Sequence, residues 1–235
     1  MTQGNEAGGP DTAAGDARRV ALFDFDGVIV RHQTLELYFR ERLSGFGRWR
    51  LLLALPWLPF VPFMIRSAAG TRILGRVFLR VVTFGRSEKN YKRLVTEFAR
   101  TYARRPGVFV RDGVATLRRH IEAGDRVVIV TGNDGTLVQA ILDEVNLQGP
   151  ELIASQVRGG VLGVHFVRHN VDAMKVKAVE RAGIARPWAV AYGDSVSDLA
   201  MLKAADAAKL VNPSKRTLKK MRKPLGDKLE VLGWY

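Results

Sequence analysis

Val20-Ala21-Leu22-Phe23-Asp24-Phe25-Asp26-Gly27-Val28 is the stretch whose reading decides the fold. An unbroken apolar run enters two aspartates and a glycine. A run of this length suits a strand buried on both faces, as in a parallel sheet. The pattern occurs twice more: Val127-Val128-Ile129-Val130 leads into Thr131-Gly132-Asn133, and Ala189-Val190-Ala191-Tyr192 into Gly193-Asp194. Helical patterns lie between the runs, at Val114 to Ala123, Thr136 to Asn146 and Ala173 to Ala182. Strands alternating with helices predict an α/β fold with a doubly wound parallel sheet. In such folds ligands bind at the carboxyl ends of the strands, where all three polar clusters fall.

A long segment, residues 34–106, separates the first run from the helix at Val114. Leu35, Leu37, Tyr38 and Phe39 open it, and Tyr91, Leu94, Val95, Phe98 and Tyr102 close it at helical spacing. It reads as an all-helical cap over the first polar loop. Residues 18–33 and 107–235 then form the core. Residues 1–17 are small, polar and Gly-rich, with no apolar run and no basic start; they read as a disordered lead rather than a secretory signal.

The chain of 235 residues has no cysteine, which excludes disulfides, thiolate metal sites and cysteine nucleophiles. Its net charge is +14, and the excess is local. Residues 34–107 hold 15 Lys+Arg against 4 acids, and residues 209–228 hold 8 against 1. Such surfaces attract nucleic acid, anionic lipid or phosphorylated substrates.

Asp24 and Asp26, two apart in an extended segment, point to the same side. Close carboxylates repel, so they need a cation or a shared proton. Asp194 and Asp198 are a second acidic pair. Gathered at one crevice, these oxygens form a hard-ligand site suited to Mg²⁺. Thr131, Gly132 and Asn133 offer a hydroxyl and loop N–H groups to phosphate oxygens, and a lysine beyond residue 170 can reach the same phosphate. Asp24 then serves as a carboxylate nucleophile on phosphorus, with Asp26 as acid and base.

In order and spacing these segments resemble the haloacid-dehalogenase superfamily of phosphatases. The resemblance implies Asp24 as nucleophile, Asp26 as acid–base, Thr131 and a lysine on the phosphate, and Mg²⁺ held by Asp24, Asp26 (through its backbone carbonyl), Asp194 and Asp198. Lys175 matches the lysine best and Lys177 is the alternative, because the acid or glycine that often precedes it is replaced by Asp172-Ala173-Met174. A helical cap directly after the first motif resembles the branch containing phosphoserine phosphatase.

Residues 51–65 carry no charge and three prolines, at 56, 59 and 62. The run falls short of the roughly 20 apolar residues that span a bilayer, and its prolines break a helix. Two readings stand: a buried, proline-broken cap core, or a membrane-dipping element. In the second, Trp57, Phe60 and Phe63 enter the lipid boundary, while Arg48, Arg50 and Arg66 meet anionic phosphates. This run, Thr83-Phe84-Gly85-Arg86-Ser87-Glu88 and Leu152-Ile153-Ala154-Ser155-Gln156 resemble the phosphatidylglycerophosphatase C branch of the superfamily. That implies a lipid phosphate monoester as substrate and a peripheral place on the cytoplasmic face of the bacterial inner membrane. The alternatives are a soluble phosphatase for a metabolite such as phosphoserine, and a basic nucleic-acid-binding protein with a vestigial site. The intact acidic set argues against the last, so no nucleic acid is expected as a partner.

Overall fold

The computed structural model describes residues 18–235; the expected lead, residues 1–17, lies outside them. The chain order is β1 (Val20–Phe23), α1 (Thr34–Arg42), a 3₁₀ segment (Gly45–Phe60), α2 (Val61–Met64), α3 (Ala68–Val82), α4 (Glu88–Ala103) and α5 (Arg111–Glu122). There follow β2 (Arg126–Asp134), α6 (Gly135–Glu144), β3 (Glu151–Gly160), β4 (Gly163–Arg168), α7 (Ala173–Arg181) and β5 (Trp188–Gly193). The chain closes with α8 (Leu199–Ala204), β6 (Ala205–Val211), α9 (Lys215–Leu225) and β7 (Leu229–Leu232).

The strands form one sheet in the order β4-β3-β2-β1-β5-β6-β7. All neighbours pair in parallel except β3 and β4, which are antiparallel. β1 is central, and its four residues are all buried, as an apolar run between two helical layers requires. The register sets Phe23 beside Ile129 of β2 and Tyr192 of β5. The three polar clusters therefore emerge side by side at one end of the sheet.

The insert is helical, as its periodicity predicts. Tyr91, Leu94, Val95, Phe98 and Tyr102 are buried on one face of α4. Tyr91, Val95, Phe98 and Tyr102 share a single apolar cluster with Phe25 and Val28 after β1, and with Leu137 and Ile141 of α6. The prolines act as expected: the backbone runs through 3₁₀ turns to Phe60, and Pro62 stands in the first turn of α2. Residues 51–65 are not the buried core that one reading foresees. Phe60 is 60% exposed, Phe63 79% and Trp57 41%, and no residue from 49 to 65 belongs to either apolar core cluster. Pro56 and Pro59 lie inside the 3₁₀ segment, and this segment and α2 pack against α3 rather than against the sheet. No helix among the described residues is long and apolar enough to cross a membrane.

Asp134, at the N-terminus of α6, is buried, and burial raises its carboxyl to about 6. The folded state thus binds this proton more tightly than the unfolded chain, so the group's contribution to stability falls as pH rises from about 4 to about 6. Asp134→Asn removes that fall. Thermal melts are expected to coincide with wild type near pH 4 and to favour the variant above pH 7, by up to about 3 kcal/mol. A constant gap between the two proteins across that range would reject the assignment.

Candidate active site

Asp24 follows the last residue of β1, and its N–H donates to the Tyr192 carbonyl at 2.9 Å, which ties it to the end of β5. Gly27 has φ +75°, and a Cβ there would fall 2.3 Å from Asp194 Oδ2. Only glycine lets the loop after β1 press against the loop after β5. Carboxylate oxygens of Asp24, Asp194 and Asp198 consequently lie within 4.8 Å of one another.

Lys175, on the first turn of α7, is 2% exposed and stands among them. Its Nζ is 2.6 Å from Asp24 Oδ1 and 2.6 Å from Asp198 Oδ1. Burial lowers the affinity of this amine for its proton, but Asp198 and Asp24 together raise it above the ordinary lysine value. Lys177, the alternative, is exposed. Helical geometry explains the choice: α7 turns Lys175, Val176 and Val179 inward.

Asp198 is fully buried and closes the loop after β5. Its Oδ2 accepts from the N–H of Asp194 at 3.2 Å and of Ser195 at 3.1 Å. Asp194 Oδ1, by contrast, is buried with no hydrogen-bond partner among the described residues. Burial first, then Asp198, raises the Asp194 carboxyl to about 7, and the same two causes raise Asp24 well above the carboxylate range. One lysine among three clustered carboxylates, with an orphaned oxygen, is a donor set that fits a hard divalent cation.

Asp26 occupies a separate polar niche. The Thr34 hydroxyl donates to its Oδ1 at 2.9 Å, and the Thr34 N–H approaches both oxygens at 3.3 Å. Helix α1 therefore starts on this carboxylate, which faces the positive end of its dipole. The Asn133 amide donates to Asp26 Oδ2 at 3.0 Å and to Thr34 Oγ1 at 2.7 Å. Burial outweighs these bonds and raises the Asp26 carboxyl to about 6.

Thr131 is buried at the end of β2, with its Oγ1 accepting from the Asn133 N–H at 3.1 Å. The Ser155 hydroxyl holds the Gly132 carbonyl at 2.8 Å. Asp24, Asp26, Thr131, Gly132, Asn133, Lys175 and Asp194 all line one cavity of about 370 Å³. Its remaining wall includes Phe39 and Phe78 of the insert, in edge contact at 5.5 Å.

Sequence reasoning names Asp24, Asp26, Thr131, Gly132, Asn133, Lys175 and Asp194, which the structure brings to one cavity, where the Asn133 side-chain amide is committed to Asp26 and Thr34. It misses Thr34, Phe39, Phe78 and Ser155. His169, which carries no role in the sequence analysis, lines the cavity and stacks on Phe166 at 4.3 Å. Thr34 alone carried a usable signal, a hydroxyl residue at a helix start. Of the membrane candidates, Trp57, Phe60, Phe63, Arg48 and Arg66 are exposed, whereas Arg50 is half-buried.

Comparison with known proteins agrees with this fold. A protein of unknown function from Bordetella pertussis Tohama I has a similar structure, with TM-score 0.68, 21% identity, and 92% of this chain and 98% of that one covered. A phosphoserine phosphohydrolase-like protein from Francisella tularensis subsp. tularensis SCHU S4 gives TM-score 0.60 and 15% identity over 90% and 94% of the two chains. Phosphoserine phosphatase from T. onnurineus gives 0.55 and 17% over 94% of each. No curated protein sequence matches. The profile of the haloacid dehalogenase-like hydrolases matches residues 21–203, the span that holds Asp24, Thr131, Lys175, Asp194 and Asp198, and the chain belongs to that family.

Proposed function

We propose that this hydrolase cleaves phosphate monoesters through an aspartyl-phosphate on Asp24, and that its substrate is a lipid phosphate met at an anionic membrane surface. The observation that carries the reaction is the pairing of Asp24 with the buried Lys175 at the base of the cavity. Lys175 fixes Oδ1, which leaves the second carboxylate oxygen to attack phosphorus. The ester P–O bond breaks as the leaving oxygen takes a proton from Asp26. Asp26 then takes a proton from water as that water attacks phosphorus, and the bond from Asp24 to phosphorus breaks. Thr131 and the Gly132 loop hold the phosphoryl oxygens. Asp24, Asp194, Asp198 and the Asp26 carbonyl would hold Mg²⁺, which when bound offsets the repulsion between an anionic nucleophile and an anionic ester.

The exposed tip supports the lipid half of the reading. Leu52, Leu55, Leu58, Phe60, Phe63 and Ile65 are exposed together, with exposed Arg48 and Arg66 at either end. An apolar anchor with flanking cations is the two-signal arrangement that stable peripheral binding requires. Replacing both Phe60 and Phe63 by Ser is expected to weaken co-sedimentation with phosphatidylglycerol-containing vesicles at least about tenfold. Turnover of a soluble ester is expected to stay unchanged. Equal sedimentation of variant and wild type would remove the tip from the membrane contact.

Likeness to phosphoserine phosphatase and a phosphoserine phosphohydrolase-like protein favours a second reading, a soluble monoester substrate. Phosphate release with Mg²⁺, measured over lipid and soluble monoesters with and without detergent, separates the two. Preferred release from the lipid ester supports the first reading, and release from soluble esters alone supports the second. No release from any monoester ends both.

A further inference from the structure

We propose that the insert carries an anion site, formed by the guanidinium groups of Arg42, Arg50 and Arg86, that takes one phosphate group. The three residues come from different segments: the end of α1, the 3₁₀ segment, and the turn between α3 and α4. Trp49 packs edge-on against Phe84 at 6.2 Å, which clasps the 3₁₀ segment to that turn. Arg50 lies over the Trp49 ring at 5.0 Å, and Arg42 over the Tyr38 ring at 5.8 Å. Gly47 makes the approach possible, since a Cβ there would fall 2.0 Å from the Arg42 carbonyl oxygen.

These cations are collected without a counter-charge. The Nε of each is buried and has no hydrogen-bond partner, and none of the three pairs with an acid among the described residues. Glu41, next in sequence to Arg42, is committed to Arg105 at 2.7 Å. Arg104, Arg126 and Arg186 elsewhere each hold a glutamate. Burial, then the charges of Arg50 and Arg42, draw the Arg86 guanidinium below its ordinary value. Folding does not favour half-buried, mutually repelling cations with orphaned donors. A tetrahedral oxyanion answers the defect, because its oxygens accept from several planar forks at once. None of the three arginines lines the Asp24 cavity, so the site is separate from the reaction centre and does not rest on the reaction proposed for it. The phosphate can come from a lipid headgroup or from solution, and the test distinguishes them.

The test compares wild type with R50Q/R86Q, and with R216Q/K220Q, which removes the same charge from the exposed face of α9, outside the insert. In phosphate-free buffer the cluster variant is expected to melt above wild type, because it loses a repulsion; a structural role for these arginines predicts a lower melt. Titration calorimetry with inorganic phosphate, and sedimentation with phosphatidylglycerol–phosphatidylcholine vesicles, identify the source. Loss of one phosphate equivalent in R50Q/R86Q alone assigns free phosphate. Vesicle binding about tenfold weaker than in R216Q/K220Q assigns the headgroup. Identical phosphate stoichiometry and vesicle binding in the two double variants would overturn the proposal. Turnover of a soluble ester, expected to be unchanged in both variants, reports on the Asp24 centre separately.

Discussion

Asp24→Asn yields a folded protein whose phosphate release falls by about 10⁴-fold or more, the scale on which loss of a nucleophile acts. The amide is isosteric, keeps an oxygen to accept from Lys175, and leaves the backbone bond to Tyr192 untouched. Melting is therefore expected to shift little. The change is chemical: an amide oxygen does not form a stable bond to phosphorus under these conditions. Acid quenching of the wild-type enzyme with ³²P-labelled ester should trap label on the protein, and the variant should trap none. Label retained on Asp24→Asn, or turnover within about tenfold of wild type, would place the nucleophile elsewhere.

Lys175→Met has the second large effect, and it falls on stability as well as rate. The methionine fills a similar volume but strips from Asp24 and Asp198, both buried, the one cation that pairs with them among the described residues. Breaking a buried pair in this way costs about 3–5 kcal/mol, or about 10 °C in melting temperature for a chain of this size. Some of the cost is avoided because Asp24, already raised well above the ordinary range by burial, can take up a proton. Adding Asp198→Asn to the variant should recover part of the stability and none of the rate, a coupling that a double-mutant cycle measures. Strictly additive losses would mean that Lys175 and Asp198 do not act as a pair.

The sheet and its reactive end were legible because their signals are local. An apolar run followed by aspartate marks where a buried strand meets solvent, and three such runs fix three neighbours in a parallel sheet. The strands β3, β4, β6 and β7 gave no such signal. β3 is only partly buried over most of its length, and β7 has exposed residues at its centre, so neither shows a continuous apolar run. The acids were readable one by one, but their partners were not. That Asn133 turns to Asp26 depends on a contact across 107 positions. That Phe78 faces the cavity depends on how α3 lies against α1. The choice between Lys175 and Lys177 awaited the phase of α7, which two residues of spacing alone do not set.

One apolar cluster runs without interruption from the body into the base of the insert, joining Phe25, Leu137 and Ile141 to Tyr38, Leu79, Tyr91 and Phe98. The height of Phe39 and Phe78 above Asp24 is thereby set by the same packing that holds the sheet. An insert so rooted does not swing away as a rigid flap without tearing that packing open. The exposed tip belongs to neither apolar cluster, so sequence drift there leaves the distance from ceiling to nucleophile constant.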